Sequence, residues 1–174
     1  MILAEVQRRL EQRDKPAARP GDQERVGLGG ETFVMLKFRT MRVDAEQQSG
    51  PVWTVENDPR RTPIGTFLRR FSLDELPQVF NVLKGEMSLI GPRPERLVFV
   101  RQLEKKIPSY RERLYVLPGI TGLAQVVNGY DDGLESVRRK VELDRQYIRR
   151  AGPLQDGRIL LSTVRVVLKG EGAH

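Results

Sequence analysis

At 174 residues the chain is long enough to bury one hydrophobic core, and its 39% hydrophobic and 30% charged content is that of a globular domain. It has no cysteine and a single histidine, the terminal His174, which argues against disulfides, thiolate zinc sites, thiol nucleophiles, His-based triads and His-rich metal sites. Lys and Arg number 30 against 23 Asp and Glu, and the net charge of +7 favours an anionic partner: nucleic acid, a phosphorylated substrate or an anionic membrane face.

Residues 1–14 read as a charged amphipathic helix with Leu3, Val6 and Leu10 on one face, ended by Pro16, Pro20 and Gly21. Met1-Ile2-Leu3 runs straight into Glu5, Arg8 and Arg9, so no signal peptide is expected. No run of about 18 apolar residues offers a transmembrane helix, and the expected compartment is the cytosol. Gln23 to Thr40 is predicted as a β-hairpin: Val26 precedes a turn containing Gly27, Gly29 and Gly30, and Thr32 to Phe38 alternates apolar with other residues. Asp44 to Arg61, polar and interrupted by Gly50, Pro51 and Pro59, reads as a long loop. Ile64 to Arg70 is predicted as a short helix, and Asp74 to Leu83 as a clearer one, stopped by Lys84-Gly85. Gly91-Pro92-Arg93-Pro94 is rigid and non-helical, because proline restricts both its own backbone and that of its predecessor. Glu95 to Ile107 and Ser109 to Tyr115 are expected to be helical, and Pro118 to Gly122 a turn or the start of a strand. Helices over Glu135 to Arg149 and Arg158 to Lys169, separated by Gly152-Pro153, complete the chain. The expectation is one compact α+β domain, mostly helical with a small β-hairpin.

The sharpest local feature is Ser72-Leu73-Asp74-Glu75-Leu76-Pro77, and two readings compete for it. Ser72 and Glu75 have the spacing of a capping box, a purely structural device. Pro77 complicates that reading, since it would fall inside the helix, remove a hydrogen bond and meet a carbonyl one turn back. With Asp74 as N-cap, Pro77 falls in the first turn, where its missing N–H costs little. Either way both carboxylates sit at a helix N-terminus, where their anionic forms are stabilised and free N–H groups face any bound phosphate. An ionised carboxylate suits attack on phosphorus. Its neighbour suits a cation on oxygen ligands, which points to Mg²⁺.

Arg93, fixed between two prolines, is either a solvated side chain on a rigid turn or a preorganised bidentate phosphate clamp. Strand spacing places Lys37 and Arg39 on one face and Phe38 on the other, as a solvated edge or as phosphate ligands. Arg69 and Arg70 carry the same two readings. Asp131-Asp132, flanked by Gly129 and Gly133, reads as a loop rather than a metal site. Neither a G-x-G-x-x-G fingerprint nor a P-loop is present.

Taken in order, these segments resemble the monotopic phosphoglycosyl transferases, also called the bacterial sugar transferase family. The residues that carry the resemblance are Gln23-Glu24-Arg25-Val26-Gly27, Lys37-Phe38-Arg39-Thr40-Met41 and Ser72-Leu73-Asp74-Glu75-Leu76-Pro77-Gln78. Asn81 to Ser88, Gly91-Pro92-Arg93-Pro94, Pro118-Gly119-Ile120-Thr121-Gly122, Glu142-Leu143-Asp144 and Tyr147 continue it, so that it runs from Gln23 to Gly170. The resemblance implies that Asp74 attacks the sugar-bearing phosphorus of a UDP-sugar, releases UMP and carries the phosphosugar until polyprenyl phosphate takes it. It implies Glu75 as the Mg²⁺ ligand, and Arg69 and Arg93, with Lys37 and Arg39, as phosphate ligands. It also implies an enzyme on the cytoplasmic face of the bacterial inner membrane, with an anionic membrane surface as partner. The resemblance leaves galactose, glucose and an N-acetylated sugar open, and the likeness of the C-terminal half to members from exopolysaccharide pathways favours an unmodified hexose.

Three departures accompany the resemblance. Where the family places a hydrophobic re-entrant helix, this sequence has Arg8-Arg9-Leu10-Glu11-Gln12-Arg13-Asp14-Lys15, which cannot enter hydrocarbon cheaply. Residues 1–22 are therefore expected to be a truncated or replaced membrane anchor, and 23–174 the catalytic domain. Leu123 stands where the family has Trp, and Asn128-Gly129-Tyr130 where it has Asn-Gly-Arg, leaving Arg138 or Arg139 to supply a phosphate contact. Leu117 replaces an arginine that often precedes the Pro-Gly. Two other readings stay open: a basic nucleic-acid-binding module and a catalytically impaired soluble form of the transferase. Interleaved carboxylates and the absence of a nucleic-acid motif weigh against the first, and no nucleic-acid partner is expected.

Overall fold

The computed structural model describes residues 23–42, 45, 58–127 and 133–169. The predicted helix and anchor segment at 1–22, most of the loop from Asp44 to Arg61, the Asn128 to Tyr130 departure and Asp131-Asp132 lie outside the described residues.

The hairpin is present. Strand β1 (Gln23–Val26) pairs antiparallel with β2 (Thr32–Met35), in register from Gln23 opposite Met35 to Val26 opposite Thr32. Gly29 and Gly30 take positive φ in the connecting turn, a conformation that side chains resist. β2 stops at Met35, three residues short of the predicted end, so the alternation expected through Phe38 does not hold. Helix α1 (Pro63–Arg70) starts at a cap that the sequence reading did not identify: the Thr62 side-chain oxygen accepts from the Gly65 N–H at 3.0 Å. Its Gly65 lies against Thr40, where any side chain would overlap the Thr40 carbonyl.

The predicted helix from Asp74 to Leu83 is two elements. Leu73–Glu75 forms a single 3₁₀ turn, and helix α2 spans only Gln78–Leu83. Pro77 is its N-cap, so the proline ring never enters a helix interior. Ser72 sits at φ 53 with no side-chain cap bond, which rules out the capping box, and Asp74 is not the N-cap either. Gly85 ends this segment as expected, at φ 74 with its N–H donating to the Val82 carbonyl at 2.9 Å.

Strand β3 (Ser88–Ile90), absent from the sequence reading, pairs in parallel with β4 (Gly119–Thr121), so two small sheets exist rather than one. Gly91 and Gly119 face each other across this pair, and a methyl on Gly119 would overlap the Gly91 nitrogen. Helix α3 (Leu97–Lys106) leads into a 3₁₀ helix over Pro108–Tyr115. Helices α4 (Leu123–Val127), α5 (Gly133–Arg150) and α6 (Pro153–Lys169) finish the domain. Val137, Val141 and Tyr147 form the buried stripe of α5 at helical spacing. They join two clusters: Val26, Val100, Leu103, Ile107 and Tyr110 pack with Val137 and Val141, while Ile90 and Ile159 pack with Tyr147. The architecture is the expected α+β domain, mostly helical. Among the described residues no helix is long and apolar enough to cross a membrane.

Candidate active site

The chain leaving β2 is held along the turn that carries the two carboxylates. Asn81, fully buried, makes the attachment: its Oδ1 accepts from the Leu36 N–H at 3.0 Å and its Nδ2 donates to the Val34 carbonyl at 2.8 Å. One residue past Lys37, the Phe38 N–H donates to the Asp74 backbone carbonyl at 3.0 Å. Lys37 is thereby delivered to the dyad. Its Nζ lies 3.3 Å from Asp74 Oδ2 and 2.9 Å from Glu75 Oε1. Arg93 reaches the same Glu75 oxygen from the far side, with Nη2 at 2.7 Å. Four of the residues named from sequence therefore meet at one point: Lys37, Asp74, Glu75 and Arg93.

Asp74 is only 3% exposed, and Lys37 is the cation on its carboxylate. Glu75 is the shared acceptor of Lys37 and Arg93. Burial alone would raise the Glu75 pKa, but the charges and hydrogen bonds of Arg93 and Lys37 prevail and hold it well below its ordinary value of 4.5. Glu75 in turn pushes the Arg93 pKa upward, against burial, so that its guanidinium is permanently charged. A depressed carboxyl stabilises the fold fully above its unfolded value, and that contribution is lost as pH falls through the folded value. Glu75→Gln is therefore expected to destabilise the protein most at about pH 7, with the difference shrinking towards about pH 3. Urea unfolding of both proteins across that range checks this.

Arg69, on the last turn of α1, points the same way. Its Nε donates to Thr40 Oγ1 at 2.9 Å, while its buried Nη1 has no hydrogen-bond partner among the described residues. Burial lowers its pKa, the neighbouring Arg61 adds to that, and the Asp74 charge opposes it. A guanidinium with one buried donor unused, beside further cations, has capacity for an anion. Gln78, buried soon after the dyad turn, likewise has an Nε2 without a partner among the described residues. Arg39 is exposed, and no described contact joins it to the dyad, because the strand that would have aligned it with Lys37 has ended.

Sequence reasoning missed the roles of Thr40, Asn81 and Arg113. Thr40 and Asn81 stand inside motifs quoted for the resemblance, yet nothing local marks them as the fasteners of Arg69 and Lys37. Arg113 fastens Arg93 by donating to its backbone carbonyl. Among the described residues no group of three or more acidic or histidine side chains forms a metal cage. The two carboxylates do suit a cation such as Mg²⁺, which takes one or two carboxylates and fills its remaining positions with water and substrate phosphate.

Comparisons with known proteins place the chain among sugar transferases. The model of the family described as bacterial sugar transferase matches residues 10–170. A UDP-N-acetylgalactosamine-undecaprenyl-phosphate N-acetylgalactosaminephosphotransferase of Aeromonas hydrophila is 46% identical over 152 residues, covering 87% of this chain and 36% of the relative. A UDP-glucose:undecaprenyl-phosphate glucose-1-phosphate transferase of Xanthomonas campestris pv. campestris is 47% identical over 154 residues, covering 87% and 32%. The galactosyl transferase CpsE of Streptococcus agalactiae is 44% identical over 161 residues, covering 87% and 35%. The chain spans about a third of the length of these relatives.

Proposed function

The chain belongs to the bacterial sugar transferase family, and on that premise we propose that it moves a sugar-1-phosphate from a UDP-sugar to polyprenyl phosphate by way of Asp74. A carboxylate oxygen of Asp74 attacks the sugar-bearing phosphorus. The bond from that phosphorus to the bridging oxygen breaks, and UMP leaves with the electron pair. The phosphosugar then rests on Asp74 as an acyl phosphate. An oxygen of polyprenyl phosphate attacks the same phosphorus, the Asp74–phosphorus bond breaks, and the carboxylate returns with a polyprenyl diphosphate sugar as product.

The single observation that carries this reading is the buried Asp74 carboxylate paired with Lys37, which also bridges to a Glu75 that Arg93 helps neutralise. An anionic nucleophile approaching an anionic diphosphate needs surrounding positive charge, and low-dielectric surroundings strengthen it. Lys37, Arg93 and Arg69 supply that charge, and Arg39 adds to the attractive field from its exposed place. Glu75 would hold Mg²⁺ together with substrate phosphate oxygens, and the ion would supply further neutralisation of the diphosphate. Arg93 and Lys37, which hold Glu75, are also the cations placed to meet the substrate phosphates.

The lipid half of the reading draws on surface chemistry. Directly after Glu75 come Leu76, Val79, Phe80 and Leu83, all exposed, and Leu83 is 77% so. Ile64 and Phe67 on α1 are exposed as well, as are Leu154, Leu161 and Leu168 on α6. Apolar side chains on amphipathic helices beside a basic surplus suit an anionic membrane surface, here the cytoplasmic face of the inner membrane. The named relatives use different sugars, so the test is a screen of UMP release over a panel of glucose, galactose and N-acetylated UDP-sugars, with short and long polyprenyl phosphates. UMP release from at least one pair, lost on chelation of divalent cations, is the expected result. No release from any pair would refute the reading.

A further inference from the structure

The loop that presents Arg93 is fastened at four successive points. The Gly91 N–H donates to the Thr121 carbonyl at 2.9 Å, and the Pro92 carbonyl accepts from the Gly119 N–H at 2.9 Å. The Glu95 carbonyl accepts from the Val26 N–H at 2.8 Å. Those three are backbone pairs. The fourth, at the residue that faces the dyad, is different: the Arg93 carbonyl accepts from Arg113 Nη2 at 3.0 Å. Pro92 and Pro94 supply no N–H on either side, and the donor that holds this point of the loop is a side chain.

Arg113 is itself braced on every side. Its Nε and Nη2 lie 3.0 and 2.9 Å from Asp144 Oδ2, and its Nη1 donates to the Tyr110 hydroxyl at 2.9 Å. Its guanidinium also stacks over the Tyr110 ring at 5.1 Å. Asp144 is 2% exposed and Tyr110 is fully buried, so the group is sealed from solvent. Burial works against charge on Arg113, yet Tyr110 and Asp144 outweigh it and raise its pKa. A pair of buried charges is a poor choice for stability alone, because apolar residues of similar size often serve as well. Its geometry fits a different purpose, the holding of one backbone carbonyl.

We propose that Arg113, braced by Asp144 and Tyr110, is a positioning residue that fixes the Arg93 backbone and thereby aims the Arg93 guanidinium at Glu75 and the substrate phosphate. The inference rests on the reading of Arg93 as a phosphate ligand. A planar fork that donates to Asp144, Tyr110 and the Arg93 carbonyl at once cannot be imitated by the single ammonium of lysine. A misplacement of about 1 Å in such a clamp costs about a hundredfold in rate.

The test is a cycle with Arg93→Ala. The double variant Arg113→Met/Asp144→Asn removes both charges and nearly keeps the volume, so it is expected to fold. Its UMP release should fall to within about threefold of that of Arg93→Ala, and adding Arg93→Ala to it should cost nothing further. Near wild-type release, or a full second loss on adding Arg93→Ala, would overturn the proposal. Should the double variant not fold, Arg113→Lys is read in the same cycle with the same two outcomes. A second readout needs no turnover: the slowly exchanging ¹⁵N resonance of the Arg93 guanidinium, held by Glu75, should vanish in the variant and persist in wild type. If wild type released no UMP from any UDP-sugar, the transferase reading would fail, and this resonance alone would decide: lost, the positioning role stands; retained, it falls.

Discussion

Asparagine in place of Asp74 is expected to lower UMP release by about 10⁴- to 10⁶-fold, the scale seen when a catalytic nucleophile is removed. The amide has nearly the shape of the carboxylate but no anionic oxygen to form the bond to phosphorus. The change leaves the fold in place, because Asp74 is held chiefly through its backbone carbonyl, which accepts from Phe38, and asparagine keeps that carbonyl. Among the described residues its side chain bonds to Lys37, at 3.3 Å. Circular dichroism and thermal melting should therefore resemble wild type while release is lost. A folded Asp74→Asn protein with full activity would exclude the covalent route.

Methionine in place of Lys37 is the second large effect. It retains most of the apolar stem and removes the one cation that touches both carboxylates. Asp74 loses the ammonium bonded to it and keeps only the more distant charges of Arg69 and Arg93, Glu75 keeps Arg93, and the two carboxylates then confront the incoming diphosphate less well neutralised. Removing one preorganised electrostatic partner from a site of this kind costs about 10²- to 10³-fold. The loss should appear in kcat/KM for the UDP-sugar and persist at saturating polyprenyl phosphate, since the first half-reaction is the one affected. Kinetics within about threefold of wild type would remove Lys37 from the machinery.

The helices were legible where the apolar spacing is long, as in α5 and α6, and the hairpin was legible from its alternation and its glycines. Two local errors have physical causes. Ser88-Leu89-Ile90 is too short to show a period, and its partner strand lies some thirty residues on, so β3 could not be read. The Asp74 to Leu83 segment carries a helical pattern, but Pro77 can only sit at the start of a helix, and the chain resolves this with a separate 3₁₀ turn.

At the site, local chemistry pointed to Asp74, Glu75 and Arg93, and the family resemblance gave them roles. Contacts between residues 18 and 38 positions apart brought them together, and no local pattern encodes these. Lys37 reaches the dyad only because Asn81 and Phe38 tie its strand extension down, whereas Arg39, beyond that tie, stays exposed. Asp144 did leave a trace: it falls on the apolar stripe of Val137, Val141 and Ile148, where a carboxylate needs a buried partner. That partner, Arg113, could be found only in three dimensions.

The covalent step through Asp74 is tested most directly by mixing the protein with UDP-sugar and Mg²⁺ without any polyprenyl phosphate. A burst of UMP that approaches one equivalent of protein is expected, together with a mass increase of one phosphosugar on the peptide that contains Asp74. UMP that appears only when the lipid acceptor is also present, with no modified peptide trapped on rapid quenching, would contradict it.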